Sequence, residues 1–280
     1  MYAFVHIEKT GGTTLNGILR RSFGPRHCDI RLPLVKRRKE RHDHRGIVEA
    51  ADLDRVRRLY RNLRGIAGHN VKPYSNLRTN YPEIEFFTFL RRPVSRFRSH
   101  FLNRAPGHTQ KAFNNWIDAE WVRNWQTKMI AGEPNAQKAI DLIGERFGFI
   151  GLTERFDESL LLMRHWLHEP ELSVEYRSLN CINEKRRARD AARNKSDMSY
   201  LDSADVRARI QEVNAEDQKV YDFVESTIYP RQVAAFGDEL HVDLFELKVK
   251  NLFASNLDEP FAGRFMRNYI YKPLLHCYLM

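Results

Sequence analysis

Cysteine is scarce in this chain: three residues among 280, Cys28, Cys181 and Cys277, widely spaced and with no C-x-x-C pair. That spacing argues against a disulfide-stapled fold, a zinc finger or a thiol redox motif, and all three are read as free thiols. No apolar run approaches the ~20 residues of a membrane span, and no leader-type segment precedes the first apolar stretch. Internal repeats are absent too. An RNP-like aromatic run and paired Cys/His fingers are missing, so the composition gives no dedicated nucleic-acid module. Acidic residues are the minority charge, 36 against 46 Lys and Arg, for a net charge of +10. A pI near 9.6 then favours anionic partners without choosing among a nucleotide, an acidic glycan, a nucleic acid and a membrane surface. A chain of this length can bury one large α/β core with appendages.

Against that background the N-terminus is rich in information. Tyr2 to Ile7 is an apolar run that reads as a buried strand, and Thr13 opens an amphipathic segment with Leu15, Ile18 and Leu19 on one helical face. Between them runs Glu8-Lys9-Thr10-Gly11-Gly12-Thr13-Thr14. Two glycines let the backbone turn and bring N–H groups close to a ligand at a helix start, where the free donors and the helix dipole both favour phosphate or sulfate. Lys9 adds a positive charge, and Thr10, Thr13 and Thr14 add hydroxyls. The order is not that of a Walker A loop, where lysine follows the glycines and a hydroxyl then holds Mg²⁺. The alternative reading of the same residues is ordinary helix-cap chemistry.

A second strand–turn–helix pattern follows at Glu85 to Leu90, then Arg91-Arg92-Pro93-Val94-Ser95-Arg96-Phe97-Arg98-Ser99-His100-Phe101. Pro93 suits a first helical position, and Val94, Phe97 and Phe101 make an apolar stripe. Arg91 stands at the strand's carboxyl end and Ser99 two turns along the helix. Arg98 reads as a solvated charge of the helix face, a reading left open for Arg96, and His100 as pointing away from an anion bound at Ser99.

Taken together, the two motifs resemble those of sulfotransferases that use 3′-phosphoadenosine 5′-phosphosulfate (PAPS), above all the carbohydrate branch. Its 5′-phosphosulfate loop reads close to H-I-P-K-T-G-G-T-[ST]-L, and its 3′-phosphate motif close to L-R-[DN]-P-x-x-R-x-x-S-x-[YF]. The resemblance implies a P-loop-like, three-layer α/β fold with a central parallel sheet flanked by helices. It also implies PAPS as co-substrate without a metal, a glycan or other hydroxyl acceptor, and a donor site at Lys9, Thr10, Gly11, Gly12, Thr13, Thr14, Arg91 and Ser99. Two positions depart from the pattern. Glu8 replaces proline, which predicts a less rigid approach to the loop and puts an acid beside the anion; Arg92 replaces Asp or Asn, which removes a turn or cap contact.

Gly68-His69-Asn70-Val71 resembles the segment that holds the catalytic histidine of heparan and uronyl 2-O-sulfotransferases, which makes His69 the expected general base. Imidazole suits that work by titrating near neutrality. The alternatives are a hydrogen-bonded structural histidine or another base such as a carboxylate. His6 is read as structural. Gly151-Leu152-Thr153-Glu154 and Asn214 to Phe223 resemble a strand end and a closing helix of the same family. The basic segment from Ile182 to Asp197 reads as a loop or lid whose Arg186, Arg187 and Lys195 cover the nucleotide.

Helices are expected over Lys111 to Ala131 and Ala136 to Phe147, with Trp116, Trp121, Trp125, Ile140 and Ile143 inward, and a strand over Phe149 to Leu152. The segment from Arg26 to Arg64, with Lys36 to Lys39, is read as solvated surface, and His42 and His44 lack a metal-ligand set. The expected organisation is a catalytic domain over 1–229 and a C-terminal extension over 230–280 of open role, as is the oligomeric state. A bacterial-type cytoplasmic protein, or a Golgi-lumen catalytic domain trimmed of its anchor, fits the lack of a span. Two rival functions stand beside sulfuryl transfer: an ATP-dependent small-molecule kinase, and a non-catalytic binder of polyanions.

Overall fold

The computed structural model describes residues 1–30, 46–105, 107–169, 172–176, 198–254 and 260–279. Arg186, Arg187, Lys195, Cys181 and the histidines 42 and 44 lie outside the described residues.

Five parallel strands form one sheet: β1 (Tyr2–Val5), β2 (His27–Asp29), β3 (Gly65–Gly68), β4 (Glu85–Leu90) and β5 (Phe147–Leu152), in the order β2-β3-β1-β4-β5. Every residue of β1 is buried, as are Phe86 to Leu90 of β4, because central strands of a parallel sheet are covered on both faces. The helices in chain order are α1 (Gly12–Phe23), α2 (Ala50–Leu59), α3 (Leu77–Asn80), α4 (Pro93–Arg104), α5 (Gln110–Asp118), α6 (Trp125–Ala131), α7 (Ala136–Arg146) and α8 (Phe156–Trp166). After them come α9 (Ala204–Val213), α10 (Ala215–Phe223), α11 (Tyr229–Phe236), α12 (Leu240–Phe253), α13 (Phe261–Phe265) and α14 (Lys272–Leu279). This is the three-layer α/β fold expected.

Two local expectations are corrected and one open reading is decided. The single helix foreseen over Lys111 to Ala131 is broken after Asp118, and Asn124 adopts a left-handed φ of 46° before α6 begins. His27–Asp29, inside a segment read as surface, is the edge strand β2, tied down by Tyr2 Oη to His27 Nδ1 at 2.8 Å and by an Arg20–Asp29 ion pair. Arg96 is not a solvated charge: its side chain is fully buried.

A smaller apolar cluster stands beside the main core. Phe97 and Phe101 of α4 pack there with Phe113, Trp116 and Ile117 of α5 and with Val206 and Ile210 of α9. Helix α4 is thus fixed by a second core. Residues beyond 229 pack on the first: Gln232 of α11 exchanges two hydrogen bonds with the backbone of Ile150, and Tyr271 stacks on Tyr60 of α2 at 4.4 Å. On α12, Val242, Phe245, Leu252 and Phe253 remain exposed. Among the described residues no helix is long and apolar enough to cross a membrane.

Candidate active site

Connections leaving the carboxyl ends of β1 and β4 run in opposite directions, toward β2 and toward β5, so a crevice opens between them, the usual ligand position in such sheets. The loop after β1 is shaped by two left-handed residues, Lys9 at φ 72° and Gly11 at φ 85°. A side chain at Gly11 would sit 2.7 Å from the Phe156 ring, and one at Gly12 would sit 2.1 Å from His6 Nε2. Both glycines are therefore required by close approach, not only by the turn. Lysine pays a conformational cost of about 1 kcal/mol in the left-handed region, so its place there is held by the surroundings.

Leu15 donates the first backbone bond of α1, to the Gly11 carbonyl at 3.2 Å, and no side chain caps this terminus. The N–H groups of Gly12, Thr13 and Thr14 thus stand at the helix start without intrahelical acceptors. Thr10 is buried, and its hydroxyl donates to the Ile7 carbonyl at 3.0 Å, so this hydroxyl shapes the loop. Thr13 is exposed and Thr14 buried.

Arg91 crosses the crevice: its Nη1 donates to the Lys9 carbonyl at 3.3 Å. Its backbone is clamped by one side chain, Gln126, which accepts from Arg91 N–H at 2.9 Å and donates to Arg91 C=O at 2.8 Å. Gln126 is held in turn from α10. Asp217 accepts from the backbone N–H groups of Gln126 and Thr127 at 3.1 and 2.7 Å, capping α6, while Asn124 accepts from the N–H groups of Glu216 and Asp217 at 3.0 and 3.2 Å, capping α10. The two helix starts thus complete each other. Glu154 accepts from the Arg92 backbone N–H at 2.9 Å and from the Tyr221 hydroxyl at 3.1 Å. At Arg92 itself α4 has no side-chain cap, as the lost Asp or Asn predicted. Ser99 is half-buried on α4, and Arg98 pairs with Asp202 at 2.6 Å.

On the other side of β1 stands His69. The register pairs Val5 with Gly68, so His6 and His69 leave adjacent strands side by side, with ring centroids 4.2 Å apart. His69 Nδ1 lies 2.6 Å from the His6 carbonyl. A carbonyl only accepts, so Nδ1 carries the proton and the neutral ring keeps its lone pair on Nε2. Burial, and then the nearby His69, hold His6 down to about 3, so it stays neutral.

The approach to the loop is not loose. Glu8 is buried, with its carboxylate 2.9 Å from Arg104 Nη2 and 3.3 Å from His100 Nε2. None of the Glu8, Gln126, Asn124 and Asp217 contacts is announced locally in the sequence, because the Arg91–Gln126 pair spans 35 positions and the others join residues roughly 90 positions apart.

Residues 2–224 match the model of the sulfotransferase family. The chain belongs to that family. Among curated proteins none matches it.

This sulfotransferase carries a built-in acid sensitivity. His100, lowered to about 4 chiefly by burial, refuses a proton that the unfolded chain accepts near 6.5. The unfolded state therefore binds more protons between those values, and stability falls as pH drops through that window. The loss from His100 is about 3 kcal/mol once pH is below 4, with His6 acting in the same direction. Urea unfolding at pH 7 and pH 4.5 should show most of it, and His100→Gln should flatten the slope.

Proposed function

We propose that the protein transfers a sulfuryl group from PAPS to a hydroxyl of a carbohydrate or glycan. The observation that carries this reading is the pairing of two anion-type strand–turn–helix units on neighbouring strands, joined where Arg91 reaches the Lys9 carbonyl. One unit suits a 5′-phosphosulfate and the other, through Arg91 and Ser99, a 3′-phosphate. His69 stands on the opposite flank of the loop, beside His6, and in this reading it serves an acceptor that approaches in line with the sulfur–oxygen bond to be broken.

In this mechanism the acceptor oxygen attacks sulfur as its proton passes to His69 Nε2. The bond from sulfur to the 5′-phosphate oxygen breaks, and the electron pair leaves with 3′-phosphoadenosine 5′-phosphate. Lys9 and the N–H groups of Gly12 to Thr14 take up the charge that develops on that oxygen. Arg187 and Lys195 belong to the same proposal as nucleotide contacts.

Calorimetry tests the donor assignment. The product 3′-phosphoadenosine 5′-phosphate should bind roughly 10- to 100-fold more tightly than AMP, the range of one charge-assisted phosphate contact. Arg91→Ala should erase most of that difference while leaving AMP affinity nearly unchanged. Equal affinities in the wild-type protein would overturn the assignment. Label transfer from PAPS to a panel of glycans then identifies the acceptor, and a strict Mg²⁺ requirement would favour the kinase reading.

A further inference from the structure

Glu8 is a buried carboxylate one residue from the loop lysine, a costly place for negative charge beside an anion site unless it is paired. Two of its partners lie on one row of α4. Arg96, His100 and Arg104 are spaced four residues apart and so share a face of the helix. Arg104 Nη2 and His100 Nε2 reach the carboxylate, at 2.9 and 3.3 Å. Arg96 Nη1 lies 3.2 Å from His100 Nδ1 and donates to it, which leaves the neutral ring's proton on Nε2, directed at Glu8. Arg96 also feels the opposite charge of Asp217. With Glu8 and Asp217 set against Arg104 and Arg96, and His100 neutral, the charges of these five groups balance.

The geometry is informative because α4 is also the helix of Ser99, which follows Arg91, and Ser99 lies on the row next to the one that grips Glu8. We propose that Glu8 is a positioning residue: it locks the phosphate loop to α4 and thereby fixes the spacing between the sites for the two ends of the donor. In loops of the resembling pattern proline stiffens this position through the chain; here an ion pair and a hydrogen bond to a distant helix do so. The inference rests on the proposed reading of the donor, because a fixed spacing matters only for a ligand with an anionic group at both ends.

Two measurements decide it, each on the full chain. The first is amide hydrogen exchange without ligand, comparing wild type with Glu8→Ala, Glu8→Gln and Arg104→Ala. Faster exchange in residues 7–12 with protection of β4 retained is the expected result for Glu8→Ala and Arg104→Ala. Glu8→Gln, which can still accept from His100 and Arg104, should lie close to wild type. Unchanged exchange in Glu8→Ala overturns the lock whatever the donor is.

The second is the ratio of affinities for 3′-phosphoadenosine 5′-phosphate and AMP. Glu8→Ala should reduce that ratio by about fivefold or more, the scale of a coupling between two sites, and Glu8→Gln should restore most of it. Arg98→Ala removes another α4 ion pair, with Asp202, and should leave the ratio unchanged. A ratio unaltered in Glu8→Ala, despite faster loop exchange, reduces Glu8 to a stabilising residue and overturns its positioning role. If wild type itself shows no preference for the 3′-phosphorylated nucleotide, the donor reading and the spacing role fail together, while the exchange experiment still decides the lock.

Discussion

Lys9→Ala is expected to lower kcat about 100- to 1,000-fold, the usual scale for removing one preorganised group that meets developing charge, while donor affinity falls only a few-fold. The asymmetry follows from the chemistry. The bridging oxygen carries little charge in the bound donor and gains it as the bond to sulfur breaks, so a cation beside it favours the transition state over the ground state. Pre-steady-state transfer from PAPS, with donor binding measured separately, resolves the two effects. A second variant separates charge from backbone. Lys9 sits at φ 72°, where glycine is at ease, so Lys9→Gly should be as stable as the parent or more so and equally inactive. Loss of affinity with kcat intact would make Lys9 a binding residue and reassign the charge stabilisation.

His69→Ala is expected to lose transfer by about a hundredfold or more, the contribution of a positioned general base, with donor binding preserved. The acidic limb of the pH–rate profile, where protonation silences an imidazole base, should disappear with the side chain. Its tautomer gives a further handle. The His6 carbonyl holds the proton on Nδ1, so His69→Asn, whose amide can keep a donor toward that carbonyl but offers no basic nitrogen, should fold normally and remain inactive. Full activity in either variant would free His69 of any part in proton transfer and leave the anion site untouched.

Much of this architecture was legible in the sequence because it is local. The run Tyr2 to Leu15 contains its own strand, turn and helix, and Glu85 to Phe101 repeats the arrangement, so both strand–turn–helix motifs could be read without tertiary information, and the parallel sheet followed from the family resemblance they carry. The strand β2 gave no such signal: His27, Cys28 and Asp29 are three mixed residues whose extended form is imposed by pairing with β3. Arg96 was left open for a related reason. An arginine on a helix face is ordinarily solvated, but the second core around α4 buries this one, with Nη2 3.4 Å from the Val122 carbonyl. The break before α6 was equally hidden. Lys111 to Ala131 keeps helical periodicity throughout, yet Asn124 serves the chain better in a left-handed turn, where its side chain can cap α10.

That exchange of caps has a consequence for biosynthesis. Arg91 is oriented by Gln126, and the helix that presents Gln126 begins on the carboxylate of Asp217, 91 residues downstream. At translation rates of about 5–20 residues per second, roughly 5–18 s pass between the appearance of the two residues. During that interval the nascent chain can pair β1 with β3 and β4, but the amide and carbonyl of Arg91 have no finished clamp. The loop after β1 is therefore complete early, and the clamp on Arg91 matures only when α10 leaves the ribosome.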